Sequence, residues 1–149
     1  MGPWVNRAMA ALAASALLAG AAAAQVPDPY ARDLAQKLTH AELVLTENGY
    51  ARAAGPFAGS LMHQRTQSRT ITLRAGQDYR IVGVCDGRCQ DLDLRLTDPN
   101  GQMIAQDVLP DDVPVIHVQP RLTGPHTIEV MMQRCTGAPC WYAFNVYSR

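Results

Sequence analysis

The stretch Cys85–Gly101, CDGRCQDLDLRLTDPNG, decides how the rest of the chain is read. Within it Leu92, Leu94 and Leu96 alternate with Asp91, Asp93 and Arg95, so the leucines share one face of an extended segment and the charges share the other. The run ends in Asp98, Pro99, Asn100 and Gly101, each suited to a tight turn. Its two cysteines bracket Asp-Gly-Arg, a second turn. Such a run of carboxylates and paired cysteines could serve as a metal site, a redox site or scaffolding, and its alternation favours scaffolding.

The same alternation extends outward from this stretch. From Gly59 onward there are about eight strand candidates: GSLMHQ (59–64), RTITLRA (69–75), DYRIVGV (78–84), DLDLRLTD (91–98), QMIAQD (102–107), PVIHVQ (114–119), HTIEVMM (126–132) and CWYAFNVYS (140–148). Gly, Pro, Asp and Asn separate them. Each strand buries one face, so a second sheet must cover the first, and the expected fold is an all-β, antiparallel two-sheet sandwich. Ile116 and Val118 point inward, leaving His117 out. Tyr142, Phe144 and Val146 point inward, leaving Trp141, Asn145 and Tyr147 out. The segment DYRIVGV is apolar on both faces, with Tyr79 and Ile81 on one and Val82 and Val84 on the other, so something must lie over it.

That cover is expected upstream. Asp28–Asn48 carries helix marks: Asp28 as cap, Pro29 at the first position, and Asn48 and Gly49 at the exit. Leu34, Leu38, Ala41 and Leu45 form one apolar stripe along it. The Gly-, Ala- and Pro-rich segment GYARAAGPFAG that follows reads as a linker. Residues 25–56 are thus helix and linker, and 57–149 the sandwich.

Residues 1–24 have the three-part layout of a secretory leader: Arg7, an apolar run AMAALAASALLAG, and a small-residue end with cleavage expected after Ala24. Its apolar run is too short for a permanent anchor. The remaining 125 residues suffice for one domain and carry 12 basic against 13 acidic groups, which excludes a nucleic-acid or anionic-membrane footprint. The destination is periplasmic or secreted. Four cysteines in an oxidising compartment are expected as disulfides, Cys85 with Cys89 and Cys135 with Cys140, each closing a turn. Crossed pairing and a four-cysteine zinc site are the alternatives. Neither pair has the two-residue spacing of a redox dithiol.

The segments LRAGQDYRIVGVCDGRCQDLDLRLTDPNGQMIAQD and PVIHVQPRLTGPHTIEV resemble the bacterial pre-peptidase C-terminal domain family across residues 57–149. The likeness lies in the "aGq-Y-i" strand entry, the "DlDl-l-dpnG" strand and turn, and the "P-tG-ytirV" entry, where His126 stands in place of the usual Tyr. The resemblance implies a jelly-roll-like sandwich that accompanies secreted exoenzymes without being catalytic, some relatives binding calcium or extracellular polymers.

Seven aspartates crowd residues 86–112, and calcium favours clustered oxygen ligands, so Asp91, Asp93, Asp98 and Asp111 are the candidate calcium ligands. The plainer role for these carboxylates is turn formation and a soluble sheet face. His40, His63, His117 and His126 are scattered, and no nucleophile elbow accompanies the mature serines. Trp141 and Tyr147, projected outward, are candidate binding residues, or else lie beneath the helix. The resulting expectation is a non-catalytic binding module with no required cofactor, acting on a protein or extracellular polymer; the alternative is a calcium-stabilised extracellular module.

Overall fold

The computed structural model describes residues 25–149; the leader falls outside them. Helix α1 (Asp28–Glu47) precedes β1 (Ala51–Leu61), β2 (Arg65–Leu73), β3 (Tyr79–Cys85), β4 (Cys89–Thr97), β5 (Met103–Asp107), β6 (Val115–Val118), β7 (Gly124–Cys135) and β8 (Cys140–Ser148). These form two four-stranded sheets, ordered β1-β8-β3-β6 and β2-β7-β4-β5. All observed pairings are antiparallel. With β1 and β8 adjacent in one sheet and β2 and β7 in the other, the strand order is that of a jelly roll.

The core lies where alternation placed it. Leu92, Leu94 and Leu96 are buried against Ile128, Val130 and Met132 of the same sheet and Ile81, Tyr142, Phe144 and Val146 of the other. Burying each such side chain contributes about 1.5–3 kcal/mol. His117 points out, as expected.

Helix α1 lies over the outer face of the β1-β8-β3-β6 sheet. Its stripe explains the doubly apolar β3: Leu34 and Leu38 bury Val84 and Ala143, while Ala41 and Leu45 pack on Tyr50, Val82 and Tyr147. The cap lies one residue earlier than expected. Pro27 occupies it, and its carbonyl accepts the N–H groups of Tyr30 and Ala31 at 3.0 and 2.9 Å. Asp28 is then the first helical residue, where its charge suits the positive end of the helix.

The expected linker is a strand. Ala51–Leu61 pairs with β8 from Ala51↔Ser148 to Leu61↔Cys140, with register shifts between Arg52 and Ala54 and between Ala54 and Phe57. Its composition hid this because an edge strand tolerates proline at a bulge. Gly55 is required there: its φ is +103°, and an added Cβ would stand 2.6 Å from Asn145 Oδ1. Similarly, β2 begins at Arg65, four residues before the expected Arg69, because RTQS carries no apolar alternation.

Candidate functional site

The cysteines form two local disulfides, Cys85–Cys89 and Cys135–Cys140, with Cα separations of 5.8 and 5.9 Å. All four thiols are thereby used, which removes the zinc alternative. Rings this short remove little chain entropy, so each bridge contributes on the order of 2 kcal/mol, mainly by holding its turn. The two turns adjoin, since Cys89 pairs with Cys135 across β4 and β7.

Asp86 joins them. It is fully buried, and its carboxylate accepts four hydrogen bonds: from Arg88 N (2.9 Å), Arg88 Nε (3.1 Å), Arg88 Nη2 (2.8 Å) and Trp141 N (2.7 Å). Arg88 Nη1 donates to the Gly137 carbonyl at 2.6 Å, inside the second disulfide turn, and the guanidinium stacks over Tyr30 of α1 at 4.1 Å. Burial pushes the Asp86 carboxyl up, but the bonds from Arg88 and from the Trp141 and Arg88 amides outweigh it and hold it below the usual range. Every acceptor position of this buried acid is turned to structure.

A second cluster fastens the far end of α1. Asp78 Oδ2 accepts from Tyr50 Oη and Arg149 Nε, both at 2.9 Å, and Asp78 Oδ1 lies 2.9 Å from His117 Nε2. Arg149 also reaches the Asn48 carbonyl and lies over the Tyr50 ring. Burial raises the Asp78 carboxyl, and the hydrogen bonds from Arg149, Tyr50 and His117 together lower it below the ordinary value. An aspartate behind an exposed histidine has the geometry of a general base. The hydroxyl here, Tyr50 Oη, is committed to Asp78, and Ser148 alternates to the opposite face from Tyr147, so the cluster works as a clasp. Sequence reading missed it because Tyr50, Asp78, His117 and Arg149 are far apart along the chain.

The four proposed calcium ligands do not converge. Asp91 and Asp98 flank seven residues' length of β4, about 23 Å of extended chain. Asp98 Oδ1 instead accepts the Asn100 and Gln102 amides, and Asp111 Oδ1 the Val113 amide, so both cap their own turns. Among the described residues no group of three or more His, Cys, Asp or Glu side chains could hold a metal ion. The expected ligand set is therefore corrected to turn chemistry for Asp98 and Asp111. Asp93 was expected on an open face and is only 4% exposed, accepting from Gln133 Nε2 at 2.8 Å.

The surroundings of Asp91 work against its charge. Burial, then Asp93, push its carboxyl above the usual range, Asp111 adding to this and Arg134 offsetting part. Folding thus disfavours the ionised form relative to the unfolded chain, so ionised Asp91 costs stability at neutral pH, a cost that vanishes as pH falls through its folded and then its unfolded pKa. Asp91→Asn is expected to raise the melting temperature by a few degrees at pH 7, with the difference narrowing towards pH 4 in parallel thermal melts. A lower melting temperature at pH 7 would count against this reading.

Trp141 and Tyr147 are not a stacking platform. Tyr147 is 0% exposed under α1, its hydroxyl accepting from Asn145 Nδ2 at 3.0 Å, and Trp141 is half-buried against the Leu34, Leu38, Val84 and Ala143 cluster. Both serve the helix docking that their outward projection required. His126 is likewise buried, with Nδ1 3.0 Å from the Gly124 carbonyl.

A cleft of about 480 Å³ opens at one margin of the sandwich, between β1 and β2. Ala54, Phe57, Ile71 and Leu73 line its floor, and Thr70, Thr72, Arg74 and Gln77 its rim. Ala54 and Phe57 are partly exposed here, while Ile71 and Leu73 beneath them are buried. Arg65, Arg69 and Arg74 on this margin have no carboxylate within ion-pair distance among the described residues.

Fold and covalent frame together define the class: a helix-covered, disulfide-clipped, all-β antiparallel sandwich. No family model matches the chain, and no curated protein matches it either. The two disulfides are consistent with an oxidising compartment. No helix among the described residues is long and apolar enough to cross a membrane.

Proposed function

We propose that this protein is a non-catalytic binding or accessory module, periplasmic or secreted, acting through the β1–β2 margin on a protein or extracellular polymer. The reading agrees with the resemblance to pre-peptidase C-terminal domains and with the leader-like first 24 residues. One observation carries it: the margin combines partly exposed apolar side chains (Ala54, Phe57) with arginines that have no ion-pair partner, while the buried Asp86 and the Asp78 cluster are occupied with structural bonds. An accessible apolar floor with a cationic rim favours an anionic or acidic partner carrying apolar groups.

The test is affinity capture from native envelope and culture fluid, comparing the full chain with Ala53→Trp. Ala53 is exposed and lines the cleft, so a bulky side chain there obstructs it without touching the core. A partner identified by mass spectrometry that is retained by the native chain and lost at least tenfold by Ala53→Trp supports the proposal. Equal capture by both moves the site elsewhere.

A further inference from the structure

The open margin also suggests its occupant. We propose that the β2 edge pairs with the β5 edge of a second copy of this chain, joining copies head to tail. This rests on the β1–β2 margin being the binding surface and names the partner that fits it.

Strand direction comes first. The sheet β2-β7-β4-β5 has four strands of alternating direction. A copy displaced along the sheet by four strand widths, with the ordinary twist, therefore brings its β5 antiparallel to β2. β2 is suited to this: it runs nine residues in unbroken register with β7, from Arg65↔Met132 to Leu73↔Gly124, and its other edge is unpaired. It has neither proline nor bulge, the devices that protect β1. Length and regularity make it the edge most open to pairing.

The charges then meet in register. Asp107 pairs with Leu94, Leu94 with Val130, and Val130 with Gln67, so all four stand at one level across the sheet. Asp107 of the second copy comes opposite Gln67, between Arg65 and Arg69 and on their face of the sheet. Asp111, whose carbonyl accepts the Leu92 amide, stands at the level of Leu92 and Met132, which is that of Arg65. Unpaired arginines and the aspartates of the opposite margin are thus aligned. A twofold β2–β2 pairing would instead bring arginines of two copies together, and like charges on paired strands repel.

Apolar surface completes the match. Met103, Val108 and Leu109, on and just after β5, are 51%, 44% and 63% exposed. Met103 stands at the level of Thr97, Thr127 and Thr70, a residue that lines the cleft, while Val108 and Leu109 follow Asp107 towards the level of Arg65. Pairing would take these exposed apolar side chains of the β5 margin out of water.

Sedimentation velocity on the full chain over a concentration series tests this. The average mass is expected to climb past that of a dimer as concentration rises, because a head-to-tail contact leaves a free margin at each end. Added salt should weaken the association. Arg69→Glu, with Arg65→Glu as a second variant, should weaken it about tenfold or more, and Arg65→Glu, at an exposed position, should leave the circular-dichroism melt unchanged. Arg69→Glu keeps its acidic margin, so adding it to the native chain should shorten the assemblies. A single monomer at every concentration, a fixed dimer, or association indifferent to both charge reversals would overturn the proposal. A monomer that still loses a foreign partner on Ala53→Trp would refute self-pairing alone and leave the binding margin standing.

Discussion

Asp86→Ala is expected to lower the unfolding free energy by about 3–5 kcal/mol, the cost of breaking a buried, hydrogen-bonded ion pair by removing one partner. The loss is large because one carboxylate receives four donors: the Trp141 amide, the Arg88 amide and two guanidinium nitrogens. Without it the Trp141 N–H is left buried and unpaired, and Arg88 loses the anchor that holds it against Gly137 and Tyr30. The same carboxyl gives the protein an acid limit. Its folded pKa lies below the ordinary aspartate value, so its contribution is fully present above that ordinary value and is lost as pH falls through the folded one. Urea unfolding from pH 7 to pH 2 should therefore show stability falling on the acid side, more shallowly in Asp86→Ala. Equal stability of the two chains at pH 7 would show that the link between the disulfide turns is dispensable.

Leu38→Asp is expected to be comparably damaging. Leu38 is 6% exposed at the centre of the contact between α1 and the sheet, against Leu34, Val84 and Ala143. A carboxylate there loses the leucine's burial and must ionise without a partner or release the helix, a loss of about 3–5 kcal/mol. Released, the helix would uncover Val82, Ala143 and Tyr147, so binding of a hydrophobic dye should rise well before global unfolding. Leu43→Asp, one turn further along on the solvent side at 62% exposure, should stay within about 0.5 kcal/mol of the native chain. If both substitutions have equal effect, α1 is not a cover for this sheet.

The helix was legible before its contact was. A stripe at Leu34, Leu38, Ala41 and Leu45 lacked a partner, and Val82 and Val84 lacked a cover. Together these imply one another, since neither apolar surface is stable in water. Leu92, Leu94 and Leu96 gave the sandwich for the same reason, because period-two burial requires a second layer. Local disulfides followed from turn chemistry between close cysteines. β1 was not legible: Ala51–Leu61 draws its strand character from pairing with β8, and nothing in GYARAAGPFAG reports that pairing. The clasp around Asp78 and the hub around Asp86 were hidden for a related reason. Their members come from distant segments, and only the register of β3, β6 and β8 brings them together. The calcium set does not form because proximity along the chain is not proximity in space: an extended strand carries Asp91 and Asp98 apart.

Contacts between side-chain protons offer the most direct test of the whole arrangement. In nuclear Overhauser spectra of the full chain, the Leu92, Leu94 and Leu96 methyls should connect to the Tyr142 and Phe144 rings of the facing sheet, while Leu38 connects to Val84 and Ala143, and Leu45 to Tyr147. Leucine methyls of β4 that contact only water and their chain neighbours, or a helix stripe with no cross-peak to β3 or β8, would contradict it.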